Sequence, residues 1–448
     1  MTAATADPII ARHAAVISSA TRLSFYPLVV EGGRGAVVRG TDGRERIDLL
    51  ASAASLNVGL QHPRVVEAVR DQAERLLHYN AAYVYHKPMV VLAERLTALT
   101  PGRIPKRVSF GLSGGDAVDG AIKAARHFTG RTKVIAFDGA YHGTTYGALS
   151  VSSASREMRA GLGPFLPEVY SAPFPDHYHD VGRRDAEAVT ASALASFDAL
   201  LATRVPAEEV ALVLVEPVQG DSGVLVPTAS FMQGLAERCR LYGILLAVDE
   251  IQTGIGRTGK WFASEHFDLE PDLVICGKAL ASGMPLSAIV ARADVLAAWR
   301  APAHTFSSGA NPVTCAAALA TLDVMQEEDL VERSRRLGDR LVGRLRELSR
   351  RHELIGDIRG RGLMVGAELV RDRETRAPAS LETAKVCWRS WQLGLLITFL
   401  QGNVLRLVPP LVISDEQLER AIAILDAALT DVASGKVSDD EVADVRGW

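Results

Sequence analysis

The sequence has few of the features that support secretion, metal binding or membrane insertion. It contains only 4 cysteines, at positions 239, 276, 315 and 387, and none forms a Cys-x-x-Cys pair. This spacing argues against cysteine-based zinc sites and disulfide frameworks. The N-terminal MTAATADPIIARHAAVISSA has neither a basic start nor a sustained apolar run, and no later segment reaches the roughly 18 apolar residues of a membrane span. These absences predict a cytoplasmic protein that is neither exported nor membrane-embedded.

The chain also lacks an excess of charge of either sign. Its 49 Lys and Arg stand against 53 Asp and Glu. Such a surface has no strong field to attract nucleic acid or anionic lipid, so we expect a small-molecule substrate and neither a nucleic-acid nor a membrane partner. With 448 residues and 48% hydrophobic character, the chain is long enough for one large and one small domain.

The central part of the chain has the pattern of an α/β protein. From about residue 107, short β-branched runs alternate with helical segments, which indicates βα units and a mainly parallel sheet. The runs are RVSFGL, KVIAFDG, VALVLVEP, GILLAVDE and DLVICGK. Between residues 153 and 207 the pattern is weaker and predicts a loop, APFPDHYHD, followed by one helix, DAEAVTASALASFDALLATR.

The two ends of the chain have a different pattern. GAVVRGTDGRERIDL predicts a hairpin around an Asp-Gly turn. After residue 311 we predict a long helical stretch through residue 348, two strand candidates, GDIRGRGLMVGAELV and NVLRLVPPLVIS, and a final helix near 415–431. We therefore assign residues 1–65 and 316–448 to a small α+β domain and residues 66–315 to a large domain.

Small residues follow the first strand of the predicted parallel sheet. In open α/β sheets, ligands bind outside the carboxyl ends of the strands. There LSGGDAVDGAIKAAR opens a helix whose free amides and dipole favour a phosphate, and Ser113, Gly114, Gly115 and Asp116 would form the cup. A purely structural turn is the alternative, because the segment has neither the Walker A lysine nor a Gly-x-Gly-x-x-Gly pattern.

An aromatic pair, a carboxylate and a lysine follow other strands at the same edge. DGAYHGTTYGALS places Tyr141 and His142 there, although Tyr141 could be a structural aromatic. Asp249 follows an apolar strand, where an ionised carboxylate needs a cation such as a protonated pyridine nitrogen. Lys278 ends another apolar strand, and burial would make it a nucleophilic amine suited to Schiff-base chemistry. An ion pair between Asp249 and Lys278 is the alternative, but the four features together indicate pyridoxal phosphate.

Five stretches, in order along the chain, resemble the motifs of the class III aminotransferases, which are fold-type-I pyridoxal-phosphate enzymes. They are SGGDAVDGAIKAAR, AYHG, EPVQG, DEIQTGIGRTG and Lys278. The resemblance runs from about Leu23 to the C-terminus and implies a large domain with a mainly parallel seven-stranded sheet and a small α+β domain from both termini. It also implies a homodimer, since the family takes a phosphate-binding hydroxyl from the neighbouring subunit. Ser307 matches that position, with Ser308 or Thr305 as alternatives.

The resemblance assigns contacts to the cofactor and the substrate. Asp249 would hold the pyridine nitrogen and Lys278 would form the Schiff base. Ile251 would pack on the ring face opposite Tyr141, and Gln252 would reach the ring hydroxyl. The full cofactor-binding set is Ser113, Gly114, Gly115, Asp116, Tyr141, His142, Glu216, Asp249, Ile251, Gln252, Lys278 and Ser307, with Arg406 at the substrate carboxylate and no metal.

Four stretches are closer in wording to the amino-acid racemases and epimerases of the family than to its common transaminases. They are LSFYPLVVEGGRGA, APFPDHY, APAHTFSSGANPV and LIGDIRGRGL. In EPVQGDSG, many transaminases of the family have a glutamate at the position of Asp221, whereas the racemases have an aspartate. A loop residue that caps a turn is the alternative for Asp221.

The favoured function is racemisation or epimerisation of an amino acid. A racemase removes a proton from one face of Cα and returns one to the other, which requires two groups on opposite faces. Lys278 and Asp221 are the candidates, ahead of Tyr141. A transaminase, which needs only the released lysine and a keto acid, is the alternative, and a non-catalytic binding module is the third possibility. Arg406 fits either reaction and favours a substrate with a free carboxylate.

Overall fold

The computed structural model describes residues 7–445 apart from residues 24, 181 and 183. Residues 1–6 and 446–448, at the two ends of the predicted small domain, therefore lie outside the described residues. The strands are β1 Val30–Arg34, β2 Val37–Gly40, β3 Glu45–Asp48, β4 Lys106–Gly111, β5 Lys133–Phe137, β6 Val169–Ala172, β7 Val210–Val215, β8 Leu245–Asp249, β9 Leu273–Cys276, β10 Ser287–Arg292, β11 Ile355–Arg361, β12 Met364–Asp372, β13 Ala377–Pro378, β14 Leu395–Leu396, β15 Thr398–Leu400 and β16 Val404–Leu407.

Helices cover the sheets and connect their strands. They are α1 Pro8–Val16, α2 Ala51–Ala54, α3 Pro63–Arg75, α4 Lys87–Leu99, α5 Gly114–Thr129, α6 Tyr146–Ser150, α7 Ala186–Thr203, α8 Ala229–Tyr242, α9 Ala293–Ala298, α10 Pro312–Glu327, α11 Leu330–Ser349, α12 Ser380–Gln392 and α13 Asp415–Ala433. Within the described ranges, none of these helices is both long and apolar enough to cross a membrane.

The largest sheet has seven strands in the order β4-β10-β9-β8-β7-β5-β6. Only β10 is antiparallel to its neighbours β4 and β9, so the sheet is mainly parallel as predicted. Every residue of β7 is buried, which is typical of a central strand covered by helices on both faces. The five predicted runs form β4, β5, β7, β8 and β9.

Two strands of this sheet escaped the sequence pattern. β6 is a short, partly exposed edge strand just before the Pro-rich loop, so its pattern carries little signal. β10 is the antiparallel strand and falls outside the βα alternation. The helix predicted between residues 153 and 207 is present as α7.

Both ends of the chain contribute to one smaller sheet. The predicted hairpin is present as β2 and β3, with Gly43 at φ 73° in the turn. β14, from the C-terminal part, pairs parallel to β3 and completes a four-stranded sheet with β1. This pairing agrees with a small domain drawn from both termini, whereas the boundaries at 65 and 315 remain predictions.

The remaining strands form what we call the C-terminal sheet, in the order β11-β12-β16-β15 with β13 beside β12. GDIRGRGLMVGAELV, predicted as a single strand, is instead the hairpin of β11 and β12, which turns at Gly362 with φ 52°. The single long helical stretch is likewise wrong: α10 and α11 are separate, because Asp329 has φ 48° and interrupts the helix. α13 confirms the final helix, and its N-cap is a capping box between Ser414 and Gln417.

Candidate active site

The predicted phosphate cup is the first turn of α5. Ser113 is its N-cap, and its Oγ accepts a hydrogen bond from the Asp116 N–H at 3.3 Å. The Asp116 carboxylate accepts in return from the N–H groups of Ser113 and Leu112, each at 2.8 Å, and from Ser287 Oγ on β10 at 2.9 Å. Asp116 therefore stabilises the turn by accepting hydrogen bonds. The remaining N–H groups of the first turn have no intrahelical acceptor.

A cavity of about 220 Å³ opens at this turn and at the carboxyl ends of β5, β7, β8 and β9. Its wall brings together most of the predicted site. The lining residues are Ser113, Gly114, Gly115, Tyr141, His142, Gly143, Thr144, Thr145, Glu216, Asp249, Ile251, Gln252 and Lys278. Asp116, Asp221, Ser307 and Arg406 were also predicted site residues but do not line this cavity.

Sequence reasoning missed three of the wall residues, Gly143, Thr144 and Thr145. Thr145 lies beside the cup, because a Cβ added to Gly115 would be 3.2 Å from its Oγ1. Gly143, at φ 127°, approaches Gly115 so closely that an added Cβ would lie 2.7 Å from the Gly115 Cα. The sequence signal for these residues was the pair of hydroxyl side chains, Thr144 and Thr145, after Tyr-His-Gly, since a hydroxyl can donate a hydrogen bond to a phosphate.

Asp249 is a buried carboxylate held by a buried histidine. It ends β8, and its Oδ2 lies 2.7 Å from His142 Nδ1. Its other oxygen accepts from the Ile251 N–H at 3.0 Å. His142 Nε2 has no hydrogen-bond partner within the part of the chain that the structure describes. A carboxylate in such surroundings is stabilised when a cation joins it, which a protonated ring nitrogen would provide.

Lys278 begins a single turn of 3₁₀ helix directly after β9, with φ 42°. Burial lowers the pKa of its ammonium group, and the nearby negative charge of Asp221 acts in the opposite direction. A lowered pKa favours the neutral amine, which is the nucleophilic form. The side chain of Ile251 is confined between two glycines. A Cβ added to Gly114 would lie 2.7 Å from Ile251 Cδ1, and one added to Gly277 would lie 3.4 Å from Ile251 Cγ2.

Glu216 ties two loops of the site together. Its buried carboxylate accepts from the N–H of Tyr141 and from the N–H of Gly220, both at 2.9 Å. Burial raises the pKa of Glu216 to about 7, although the charge of His142 and the two N–H groups act against that shift. One carboxylate thus couples the loop of Tyr141 to the loop of Asp221.

The predicted substrate ligand Arg406 is paired with Asp221. Its Nη1 lies 3.4 Å from Asp221 Oδ1, and its Nη2 donates to Gln252 Oε1. All three side chains are buried. Burial and the charge of Asp221 raise the pKa of Tyr141, so its phenol stays protonated at neutral pH. Gln252 lines the cavity and accepts from Arg406, which also contacts Asp221. The structure therefore brings Arg406 and Asp221 next to the cavity wall.

Ser307 lies apart from this group. It is exposed, as are Ser308 and Thr305, in the loop before α10. The loop is anchored by His304, whose ring stacks on Trp299 at 5.2 Å. No cluster of three or more His, Cys, Asp or Glu side chains suited to a metal ion occurs among the residues that the structure describes.

The family model described as "Aminotransferase class-III" matches residues 18–429. The chain belongs to the class III aminotransferase family, which confirms the predicted resemblance. A solved structure of similar fold is an amine transaminase from an uncultivated Pseudomonas species in its PLP-bound form. It has a TM-score of 0.86 and 30% identity, with 90% of this chain and 95% of that chain covered. The predicted fold class is thereby confirmed.

Curated relatives in this family catalyse more than one kind of reaction. An isoleucine 2-epimerase from Lentilactobacillus buchneri is 44% identical, with 95% of each chain covered. A leucine/methionine racemase from Thermococcus litoralis is 41% identical, with 99% of each covered. A probable 4-aminobutyrate aminotransferase from Bacillus subtilis is also 41% identical, over 89% of this chain and 92% of its own. These relatives are all enzymes, and so is this chain.

Proposed function

We propose that this enzyme is a pyridoxal-phosphate-dependent racemase or epimerase of amino acids, with Lys278 and Asp221 as its two acid–base groups. The observation that carries this proposal is the buried carboxylate of Asp221, which lies 3.4 Å from Arg406, the predicted ligand of the substrate carboxylate; its charge also opposes the lowering of the Lys278 pKa. The relatives named as an epimerase and a racemase support the same reaction class.

The residues of the cavity fit pyridoxal phosphate. The first turn of α5, with Ser113, Gly114 and Gly115, offers N–H groups to a phosphate. Asp249, backed by His142, offers a buried negative charge to the ring nitrogen. Ile251 and Tyr141 line the cavity, where they would contact the ring. When bound, the cofactor supplies an electron-withdrawing ring that acidifies the Cα–H bond of an attached amino acid.

The amino-acid substrate would be oriented by Arg406, whose guanidinium can hold a carboxylate in two hydrogen bonds. In the structure this guanidinium is shared between Asp221 and Gln252, so a substrate carboxylate would compete with them. Lys278 would then move the Cα proton on one face and Asp221 on the other. Tyr141 is the weaker second group, because its raised pKa opposes its acting as a base.

The active form is proposed to be a homodimer. The cavity wall of one protomer contains no residue from the 305–308 loop, although that loop is exposed and available to a neighbour. Ser307 would complete the phosphate site of the partner, with Ser308 or Thr305 as alternatives.

The test is incubation of the cofactor-loaded enzyme with single L-amino acids in deuterated water without a keto acid, followed by chiral analysis and proton NMR. We expect the D-configuration to accumulate, and Asp221→Asn to lower that rate on the order of 10²- to 10⁴-fold while Cα–H exchange with retained configuration continues. Asp339→Asn, on the exposed face of α11, is the matched control. Exchange with retention in the wild-type enzyme, and turnover only with a keto acid, would contradict the proposal.

Transamination is the second candidate. Arg406 favours this reaction as much as the first, because its guanidinium would bind the carboxylate of an amino acid or of a keto acid. The relative named as a probable aminotransferase is as similar to this chain as the racemase is, at 41% identity. Dependence of turnover on a keto acid separates the two reactions.

A further inference from the structure

The loop that carries Asp221, residues 219–225, is closed by backbone hydrogen bonds between its two ends and is attached to the seven-stranded sheet. Gln219 and Leu225 exchange backbone hydrogen bonds of 3.0 and 2.9 Å. On the side of the seven-stranded sheet, Gln219 Nε2 donates to the Asp138 carbonyl oxygen at 2.9 Å, and Ser222 Oγ donates to the Gly139 carbonyl oxygen at 2.5 Å. These contacts, and the bond from the Gly220 N–H to Glu216, hold the loop on the side of the seven-stranded sheet, but none of them reaches the carbonyl oxygen of Asp221 or of Gly223.

The C-terminal sheet supplies that hold through three side chains. Arg406 on β16 contacts the Asp221 carboxylate at 3.4 Å. Gln401, in the turn between β15 and β16, donates to the carbonyl oxygen of Asp221 itself at 2.9 Å. Arg359 on β11 donates through Nε to the carbonyl oxygen of Gly223 at 2.8 Å. The carbonyl oxygens of Asp221 and Gly223, which follow the Asp221 side chain along the loop, are therefore hydrogen-bonded to side chains of the C-terminal sheet and its turn.

Arg359 is itself held rigidly. Its Nη1 donates to Asp357 Oδ2 at 2.8 Å and to Glu368 Oε2 at 2.7 Å. Glu368 is buried, and its other oxygen lies 2.8 Å from His179 Nε2. A planar guanidinium paired with two carboxylates has little freedom to rotate, so its Nε donates in one fixed direction. Gly223, at φ 97°, permits the close approach, because an added Cβ would lie 2.9 Å from Arg359 Nη2.

Arg359 acts from outside the catalytic cavity. It is absent from the wall of the 220 Å³ cavity and lines a separate cavity of about 560 Å³, together with Gln219, Ser222 and Gln401. Arg359 thus contacts the Asp221 loop from the 560 Å³ cavity, whereas Lys278 lines the 220 Å³ cavity. Arg359 would therefore not contact the substrate directly.

We propose that Arg359, assisted by Gln401, is a positioning residue that sets the Asp221 carboxylate for proton transfer at the second face of Cα. The inference rests on the proposed racemase function. Proton transfer requires hydrogen-bond reach, and a displacement of about 1 Å can lower the rate on the order of 10²-fold. Loss of the Arg359 bond would release the backbone beside Asp221 without touching Lys278.

The test compares inversion with Cα–H exchange at retained configuration in deuterated water. For Arg359→Met we expect the ratio of inversion to exchange to fall roughly 10-fold, with exchange itself little changed. Gln401→Leu should lower the ratio less, and Arg359→Lys should be intermediate because it keeps the charge but not the fork. Arg361→Met is the matched control, since Arg361 lies on the same strand over the Phe267 ring.

Two further measurements separate positioning from general damage. Amide hydrogen exchange of the peptide spanning 218–225 should be faster in Arg359→Met than in the wild-type protein, even without cofactor, and unchanged in Arg361→Met. In an Asp221→Asn background, Arg359→Met should leave the ratio unaltered, because coupled residues are not additive.

Several outcomes would overturn the proposal. An unchanged ratio, or an equal fall of inversion and exchange, makes Arg359 a structural residue only. If Arg359→Met does not fold, Gln401→Leu decides, because Gln401 is exposed and its removal disturbs little packing. A wild-type enzyme that never inverts its substrate overturns this proposal and the racemase function together, whereas inversion with unaltered variant ratios overturns only the positioning role.

Discussion

Lys278 and Asp221 belong to parts of the molecule that are built in different ways. The Lys278 side, with Asp249, His142 and the first turn of α5, comes from the strand ends of the seven-stranded sheet and the segments that directly follow them. The Asp221 side is assembled between a loop of that sheet and side chains of the C-terminal sheet, among them Arg406. One side is positioned by its own backbone, and the other by contacts across two sheets.

This difference separates the groups that both candidate reactions share from the group that only the proposed racemase needs. The proposed cofactor site and the proposed lysine chemistry use groups that a single sheet edge supplies, and either candidate reaction needs them. The proposed second acid–base group, Asp221, depends on how the C-terminal sheet holds the loop of residues 219–225. Small changes in that packing can therefore alter the reaction while the cofactor site stays intact.

The largest effect should come from Lys278→Ala on the side built by one sheet. We expect inversion and exchange both to fall on the order of 10⁴-fold or more, because the nucleophilic amine is lost. The near-visible band of cofactor joined to lysine, which borohydride bleaches, should also be missing. Lys260→Ala, at an exposed position, is the control. Retained exchange in Lys278→Ala would remove Lys278 from the mechanism.

Arg406→Met should have the next largest effect and acts on the side built by two sheets. A charge-assisted hydrogen bond contributes about 1.5–3 kcal/mol, so kcat/KM should fall on the order of 10- to 100-fold, mainly through KM. Thermal unfolding should also occur at lower temperature, because Asp221 keeps a buried charge without its partner. An unchanged KM would show that the substrate carboxylate binds elsewhere.

Gly114→Ala tests the crowding around Ile251 on the lysine side. The added Cβ would lie 2.7 Å from Ile251 Cδ1, and overpacking of this kind costs about 1–3 kcal/mol. We expect cofactor affinity, measured by absorbance titration, to weaken roughly 10-fold. Gly32→Ala, where an added Cβ meets nothing within 4 Å, should bind the cofactor normally. Equal affinities in the two variants would mean that Ile251 can move aside freely.

His179→Gln should have the smallest effect and tests the ion pairs behind Arg359. The hydrogen bond to Asp176, and to a smaller extent the one to Glu368, raise the pKa of His179 from 6.5 to about 9. A raised pKa stabilises the fold below pH 6.5, and this contribution is lost as the pH rises to 9. His179 is 45% exposed, so solvent screening limits the contribution to less than about 1 kcal/mol.

The measurement is urea unfolding of wild-type and His179→Gln proteins at pH 6 and pH 9.5. The difference between their free energies of unfolding should be present at pH 6 and shrink at pH 9.5. His127→Gln, at an exposed position of α5, is the control for the substitution itself. A difference that is the same at both pH values would exclude the ion-paired histidine as its source.

The sequence determined the elements with strong local signals. Apolar runs predicted β7, β8 and β9, and the polar residues at or just after the ends of β8 and β9 led to Asp249 and Lys278. The small residues at the start of α5 predicted the cup, because a helix N-terminus is recognisable from its capping pattern. Weak or unusual signals failed: edge strand β6, antiparallel β10 and the break at Asp329 had no periodicity to identify them.

Only the tertiary structure decided which side chains meet across the sheets. No spacing in the chain indicates that Arg406 pairs with Asp221, that Glu216 joins the loops of Tyr141 and Gly220, or that Arg359 holds Gly223. Strand ends and helix starts follow from local backbone preferences and hydrophobic periodicity, which neighbouring residues carry. Contacts between residues far apart in sequence depend instead on how separate sheets pack, and that arrangement exists only once the whole chain has folded.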